Sequence, residues 1–239
     1  MLHPTQTRTI ADNLARLQDE IAGCAVHCGR AAEEITLVGV SKTQPVEALA
    51  AAVAAGLQHI GENRVQEAHE KLPALRQLLG AAPMPTCHLV GHLQTNKAGA
   101  AVGLFDRIDS VDSLKLVQAL SRRLAGTGRE LPVLLEVYVG QDPNRPGLRP
   151  EGIEDSVGQL LEVAGVRIEG LMTVAPLGSP PGPAFQQVRE IKLRLAQAYP
   201  RVHFGVLSMG MSEDFPVAIQ EGSTEVRIGT ALFGPRQRA

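Results

Sequence analysis

The sequence has no tryptophan, two tyrosines and five phenylalanines among its 239 residues. So thin a supply of aromatics excludes the stacking platforms that hold single-stranded nucleic acid. An excess of either charge is also missing. The 23 Lys and Arg against 25 Asp and Glu leave a net charge of −2, whereas a general nucleic-acid binder carries a basic surplus. Cysteine is scarce: Cys24, Cys28 and Cys87 are an odd, widely split set, which makes no disulfide framework. No apolar run approaches the roughly 20 residues that span a bilayer. The first residues lack the basic and apolar regions of a secretory signal. The expectation is a reduced, cytoplasmic protein that meets neither membrane nor nucleic acid.

What is present is a globular composition, 44% hydrophobic and 20% charged. A single domain spanning 1–239 would bury roughly 70–75% of its unfolded surface and needs no staple. Ile10, Leu14, Leu17 and Ile21 recur at steps of four, three and four. That spacing makes one helical face and predicts an N-terminal helix over about 5–28, outside the main sheet. Short apolar runs then alternate with helical stretches. Strands are expected at 35–40, 58–61, 86–91, 105–111, 132–139 (the longest), 167–174, 202–207 and 226–228. The helices between them are expected at 45–55, 65–72, 97–102, 114–124 (with Ser113 as cap), 151–164, 185–198 and 212–220. Short apolar strands alternating with helices imply a parallel sheet covered on both faces. Eight units in this length fit a (β/α)8 barrel. A doubly wound open sheet would place a glycine-rich turn after the first strand, where the sequence reads Ser41-Lys42-Thr43-Gln44-Pro45.

Barrel active sites lie at the C-terminal ends of the strands, and three strand ends carry unusual residues. Lys42 ends strand one with the parity of Val38 and Val40. If that side is the interior, an ammonium group stands at an apolar mouth, where desolvation favours the neutral, nucleophilic amine. The bland reading is a surface lysine past a frayed strand. After strand seven comes Ser208-Met209-Gly210-Met211-Ser212, a hydroxyl with a glycine that lets backbone approach a ligand, or an ordinary capped turn. At strand eight, Val226 and Ile228 should face the helices and Arg227 the interior, followed by Gly229 and Thr230. A buried arginine needs a partner, either a ligand or a carboxylate such as Glu225 or Glu62. Phosphate sites in this architecture recur after strands seven and eight, and closure sets strand eight beside strand one. An amine, a phosphate cradle and an inward arginine describe a phosphorylated carbonyl compound. Pyridoxal 5′-phosphate (PLP) and the sugar phosphate of an aldolase both fit.

Weaker constellations take bland readings. Cys24, His27 and Cys28 are expected to pack a helix rather than bind metal. His88 and His92 are expected to line or support the barrel mouth.

The fork closes on resemblance. The segments 39–45, 61–67 and 88–97, Gly170-Leu171-Met172, 207–212 with Asp214, and 226–234 resemble the YggS/PROSC family of pyridoxal phosphate homeostasis proteins. The motifs are in order and cover nearly the whole chain. The resemblance implies a single alanine racemase N-terminal-like barrel with PLP held as a covalent aldimine to Lys42. Ser208, Gly229 and Thr230 match phosphate contacts, with Met209 and Gly210 contributing the loop. Arg227 matches the arginine at the pyridine nitrogen, and Asn63 and Met172 match residues lining the cofactor. Two segments depart from the family pattern: Arg64 stands where many relatives have tyrosine, and the loop 140–147 replaces a small polar, lysine-bearing stretch.

An arginine at the pyridine nitrogen disfavours its protonation and weakens PLP as an electron sink. Only five residues follow Gly234, too few for the β domain that brings alanine racemases a second acid/base tyrosine. The expected role is therefore a monomeric PLP carrier in vitamin B6 homeostasis, serving PLP-dependent apoenzymes. A weak amino-acid racemase is the alternative.

Overall fold

Eight parallel strands pair in chain order, and the last returns to the first, closing a barrel. The structure, a computed structural model, describes residues 4–234. The strands are β1 (Thr36–Val40), β2 (His59–Glu62), β3 (Thr86–Leu89), β4 (Arg107–Val111), β5 (Leu131–Glu136), β6 (Val166–Met172), β7 (Val206–Ser208) and β8 (Glu225–Ile228). Helix α1 (Pro4–His27) precedes them. A helix follows each strand: α2 (Val46–Ala54), α3 (Val65–Leu79), α4 (Ala98–Leu104), α5 (Leu114–Leu124), α6 (Ile153–Leu161), α7 (Pro181–Ala198), α8 (Phe215–Gln220) and α9 (Thr230–Phe233). The expected (β/α)8 barrel is the fold observed. Among the described residues no helix is long and apolar enough to cross a membrane.

The apolar stripe of α1 is buried along Ile10, Leu14, Leu17, Ile21 and Ala25. The helix packs on α2, α8 and α9, across the seam where β8 meets β1. Asn13 Nδ2 donates to the Leu232 carbonyl at 3.0 Å there. Between barrel and helices lies a continuous core that includes Leu49, Ile60, Leu75, Leu89, Leu120 and Val226. Ser113 caps α5 as expected, its hydroxyl accepting from Leu116 N–H.

The boundaries differ where side-chain packing or loop pairing overrides the local pattern. Helix α3 runs through Pro73 to Leu79 rather than stopping at 72. The proline forfeits one backbone bond, but Ala68, Lys71, Leu72 and Leu75 are buried around it and hold the helix. Strand β5 ends at Glu136: Val137 N–H still donates to the Met172 carbonyl of β6, but Tyr138 N–H turns to the Leu148 carbonyl. The longest strand is therefore β6, with seven residues. Strand β7 has only three residues, and α8 begins at Phe215 rather than Ser212. There Asp214 Oδ1 accepts from Met211 N–H at 2.5 Å and fixes a turn instead.

Register shows what fills the barrel. Thr36 and Val38 lie level with Glu225 and Arg227 of β8, and Val38 and Val40 with His59 and Gly61 of β2. The interior is therefore not the usual stack of branched apolar residues. Toward the N-terminal end it holds a charged cluster, and toward the C-terminal end Arg227.

Candidate functional site at the barrel mouth

The residues singled out in the sequence gather on five adjacent strands, β6, β7, β8, β1 and β2, at their C-terminal ends. Arg227 is 5% exposed and faces inward, as its parity required. Its N–H donors reach Ser208 Oγ and the Thr173 carbonyl, both at 2.8 Å, leaving others of its five free. It pairs with neither Glu225 nor Glu62. Glu225 is bound by Arg107 and Glu62 by Lys71. Burial pushes the Arg227 guanidinium down, while Glu225, Asp109 and Glu136 push it back up.

Lys42 lies half-buried in the turn just past β1, where Gln44 N–H donates to the Ser41 carbonyl. Asn63 follows β2, and its Oδ1 is buried without a hydrogen-bond partner. The Asn63 backbone packs directly on Gly91, where a Cβ would sit 2.4 Å from the Asn63 carbonyl oxygen. Met172 is buried at the end of β6, level with Ser208. Met209 alternates to the outer side and is buried in the apolar layer under the helices. Gly210 has φ +98°, and a Cβ there would press to 2.6 Å on Ala218. Its carbonyl accepts from Arg227 N–H at 3.0 Å. Gly229 is half-buried and Thr230 exposed at the mouth.

Sequence reasoning missed three neighbours. The Ser208 hydroxyl is fully buried against Arg227. The hydroxyl beside Gly229 and Thr230 belongs to Ser212, which accepts from Ala231 N–H at 3.4 Å. Its position in the same loop was the available signal, but the family resemblance pointed to Ser208. Glu136 ends β5 level with Met172. Burial, then Asp112, pushes its carboxyl up to about 7. Thr173 holds Arg227 through its backbone, which leaves no mark in a side-chain pattern. Beside the mouth, a cavity of about 540 Å³ runs between His92, Thr95, Ser113 and the loop bearing Arg145 and Arg149. That divergent loop wraps Tyr138: Arg149 stacks 4.6 Å from its ring, and the Tyr138 hydroxyl accepts from Asp142 N–H.

The two histidines do not line the mouth together. His92 pairs there with Asp112 at 2.9 Å, but His88 lies deep in the barrel. Its Nδ1 meets Asp109 at 3.2 Å and its Nε2 meets His59 Nδ1 at 3.0 Å. Arg107 joins this floor cluster, binding Asp109 twice and Glu225 once. His88, Asp109 and Glu225 are close enough to share a metal ion, but the Arg107 guanidinium already bridges the two carboxylates as their cation. Cys24 and Cys28 pack against the core, and burial pushes the Cys24 thiol up.

Burial, then His88 and Arg107, brings His59 down to about 4. Below pH 6.5 an unfolded chain protonates this imidazole while the folded chain does not, until about pH 4. Stability from this group is therefore lost as pH falls through that window. The raised Glu136 works oppositely, losing stability as pH rises from about 4.5 to 7. Comparing His59→Gln with wild type cancels the Glu136 part. Its urea-unfolding free energy should fall less between pH 7 and pH 5, by about 1–2 kcal/mol after allowance for screening at a half-buried ring. Equal falls in both proteins would show that the folded His59 titrates normally.

Residues 7–237 match the family described as alanine racemase, N-terminal domain. The pyridoxal phosphate homeostasis protein of Escherichia coli K12 is 36% identical over 95% of this chain and 97% of its own. The structure of PipY from Synechococcus elongatus with PLP bound is 39% identical, covers 94% of this chain and 100% of that one, and superposes with a TM-score of 0.81. Alanine racemase from Corynebacterium glutamicum shares the fold at 18% identity and a TM-score of 0.69, over 96% of this chain and 62% of that one. A closed barrel with Lys42 and Arg227 at one mouth, matched along nearly its full length by these relatives, places the chain in the family of pyridoxal phosphate homeostasis proteins.

Proposed function

We propose that this chain binds PLP at the barrel mouth, carries it as a Schiff base on Lys42 and releases it to PLP-dependent apoenzymes. In this reading it serves vitamin B6 homeostasis as a cytoplasmic monomer. The observation that carries the proposal is the buried Arg227, locked by Ser208 and Thr173 on the strand beside that of Lys42. It offers a fixed donor where a pyridine nitrogen would lie. The unpartnered Asn63 Oδ1 supplies an acceptor on the neighbouring strand end, so the residues present fit the group. PLP brings an aldehyde that condenses with amines.

The chain's own residues divide the work. Lys42 supplies the amine. Gly229, Thr230 and Ser208 take the phosphate, Ser208 accepting from Arg227 while its own proton stays available, and Ser212, from the loop Met209 and Gly210 belong to, adds a second hydroxyl. Met172 and Asn63 bound the ring. Arg227, a permanent donor, keeps the ring nitrogen unprotonated, which suits holding the cofactor better than driving carbanion chemistry. A second acid/base group for racemisation is not at hand in either tyrosine. Tyr138 is bound into the 140–149 loop, and Tyr199 donates to the Glu154 carbonyl on the outer layer.

The test is a spectrophotometric PLP titration of the purified protein, followed by transfer to an apoenzyme. A visible band, fixed to the protein by borohydride, with activity appearing in the acceptor, is the expected result. Absence of the band at saturation would sink the reading. Steady-state racemisation of amino acids would replace the carrier with the racemase.

A further inference from the structure

We infer that Lys71, acting with Glu67, is the positioning residue of Lys42, clamping the peptide on both sides of it and so fixing where its amine is presented. The inference rests on the PLP reading and deepens it.

Lys42 lies in the turn just past β1, and Ser41, whose N–H donates to the Gly61 carbonyl at 3.0 Å, meets the layer between β2 and α3. In that layer an apolar contact would be usual, yet Lys71 of α3 is buried there, 8% exposed. Its ammonium donates to the Ser41 carbonyl at 2.9 Å, Glu62 Oε1 at 2.9 Å and Glu67 Oε1 at 2.7 Å, which uses all three of its protons. Glu62 Oε1 also accepts from the Ser41 hydroxyl. Glu67 Oε1 accepts from Thr43 N–H at 2.7 Å. One ion pair thus grips the residue before Lys42 through its carbonyl and the residue after it through its amide.

Between those grips the backbone is strained. Thr43 has φ +63°, the one positive value of a non-glycine among the described residues. A β-branched residue adopts that region only where its surroundings impose it. A buried ion pair is a weak source of stability, since apolar residues of the same volume do as well. Its contacts here converge on the flanks of Lys42, which makes geometry its contribution. That geometry matters for one step: the Lys42 nitrogen adds to the aldehyde carbon, a C=N bond forms, and the aldehyde oxygen leaves as water with both amine protons. Binding of ring and phosphate needs no clamp.

The experiment compares wild type, Lys71→Met and Glu67→Ala as full-length chains with two ligands. PLP is titrated by its visible band. The aldehyde-free 4′-deoxypyridoxine 5′-phosphate is titrated by calorimetry. Half-saturation of the band should rise about tenfold in Lys71→Met, and severalfold in Glu67→Ala, as expected when a reacting group is misplaced. The Kd for the aldehyde-free analogue should stay within about twofold of wild type in both. A merely structural role would weaken both ligands together, and that outcome overturns the proposal. So does an unchanged band. If Lys71→Met does not fold, Glu67→Ala decides, because Glu67 is partly exposed and its loss leaves Lys71 paired with Glu62. A wild type without a band removes the PLP reading itself. A normal wild-type band with normal variants removes only the clamp.

Discussion

Lys42→Ala is expected to abolish the aldimine band and the borohydride-stable adduct, while the protein stays folded. The side chain is half-buried in a turn, away from the core, so stability should change by no more than about 1 kcal/mol. The donors of Arg227 and the loops after β7 and β8 remain, so a weaker, non-covalent complex without the aldimine band should persist. Its Kd should rise about 100-fold, or about 2.7 kcal/mol, by loss of the covalent link. Absorption spectroscopy, circular dichroism and equilibrium dialysis separate these effects. A band that survives in Lys42→Ala would mean that another lysine forms it, and the mouth would lose its central assignment.

The second large effect is expected far from the mouth. Asp109 has no exposed surface and accepts from Arg107 Nε at 2.6 Å, from its second nitrogen at 3.1 Å and from His88. Burial alone would raise its carboxyl, but His88 and Arg107 outweigh that and hold it well below the usual carboxylate range. Asp109→Ala leaves the guanidinium with Glu225 and, at 4.0 Å, Glu169, and leaves His88 Nδ1 without its acceptor. Breaking a buried pair from one side costs about 3–5 kcal/mol, a large part of the roughly 5–15 kcal/mol that holds a typical domain folded. Urea unfolding at pH 7 measures it, with Asp109→Asn, which keeps the shape and one acceptor, expected to cost less. A loss below about 1 kcal/mol would mean that water from the cavity of about 740 Å³ at the N-terminal face solvates the cluster.

That floor cluster was the least legible part of the sequence. His59, His88, Arg107, Asp109 and Glu225 sit on four different strands, and nothing in their local patterns marks them as neighbours. Only barrel closure and register bring them within bonding distance. The same holds for Lys71, whose spacing on α3 reads as a solvated helical lysine. Ser208 shows the limit from the other side. Resemblance matched it to a phosphate contact; its hydroxyl accepts from Arg227, and which other hydroxyl borders Gly229 and Thr230 depends on how the loop folds back to bring in Ser212. Strand lengths erred for a related reason: β5 stops early because Leu148, outside any local pattern, takes the Tyr138 N–H.

By itself the sequence determined the element order, the barrel class and the inward turn of Arg227. Those follow from hydrophobic period and strand parity, which act over a few residues. Tertiary structure alone decided which charges meet at the barrel floor, which groups clamp the turn at Lys42 and which carboxyl is pushed toward neutrality. Those are long-range matters, since burial and Coulomb interaction depend on neighbours that the chain brings together only when the sheet closes.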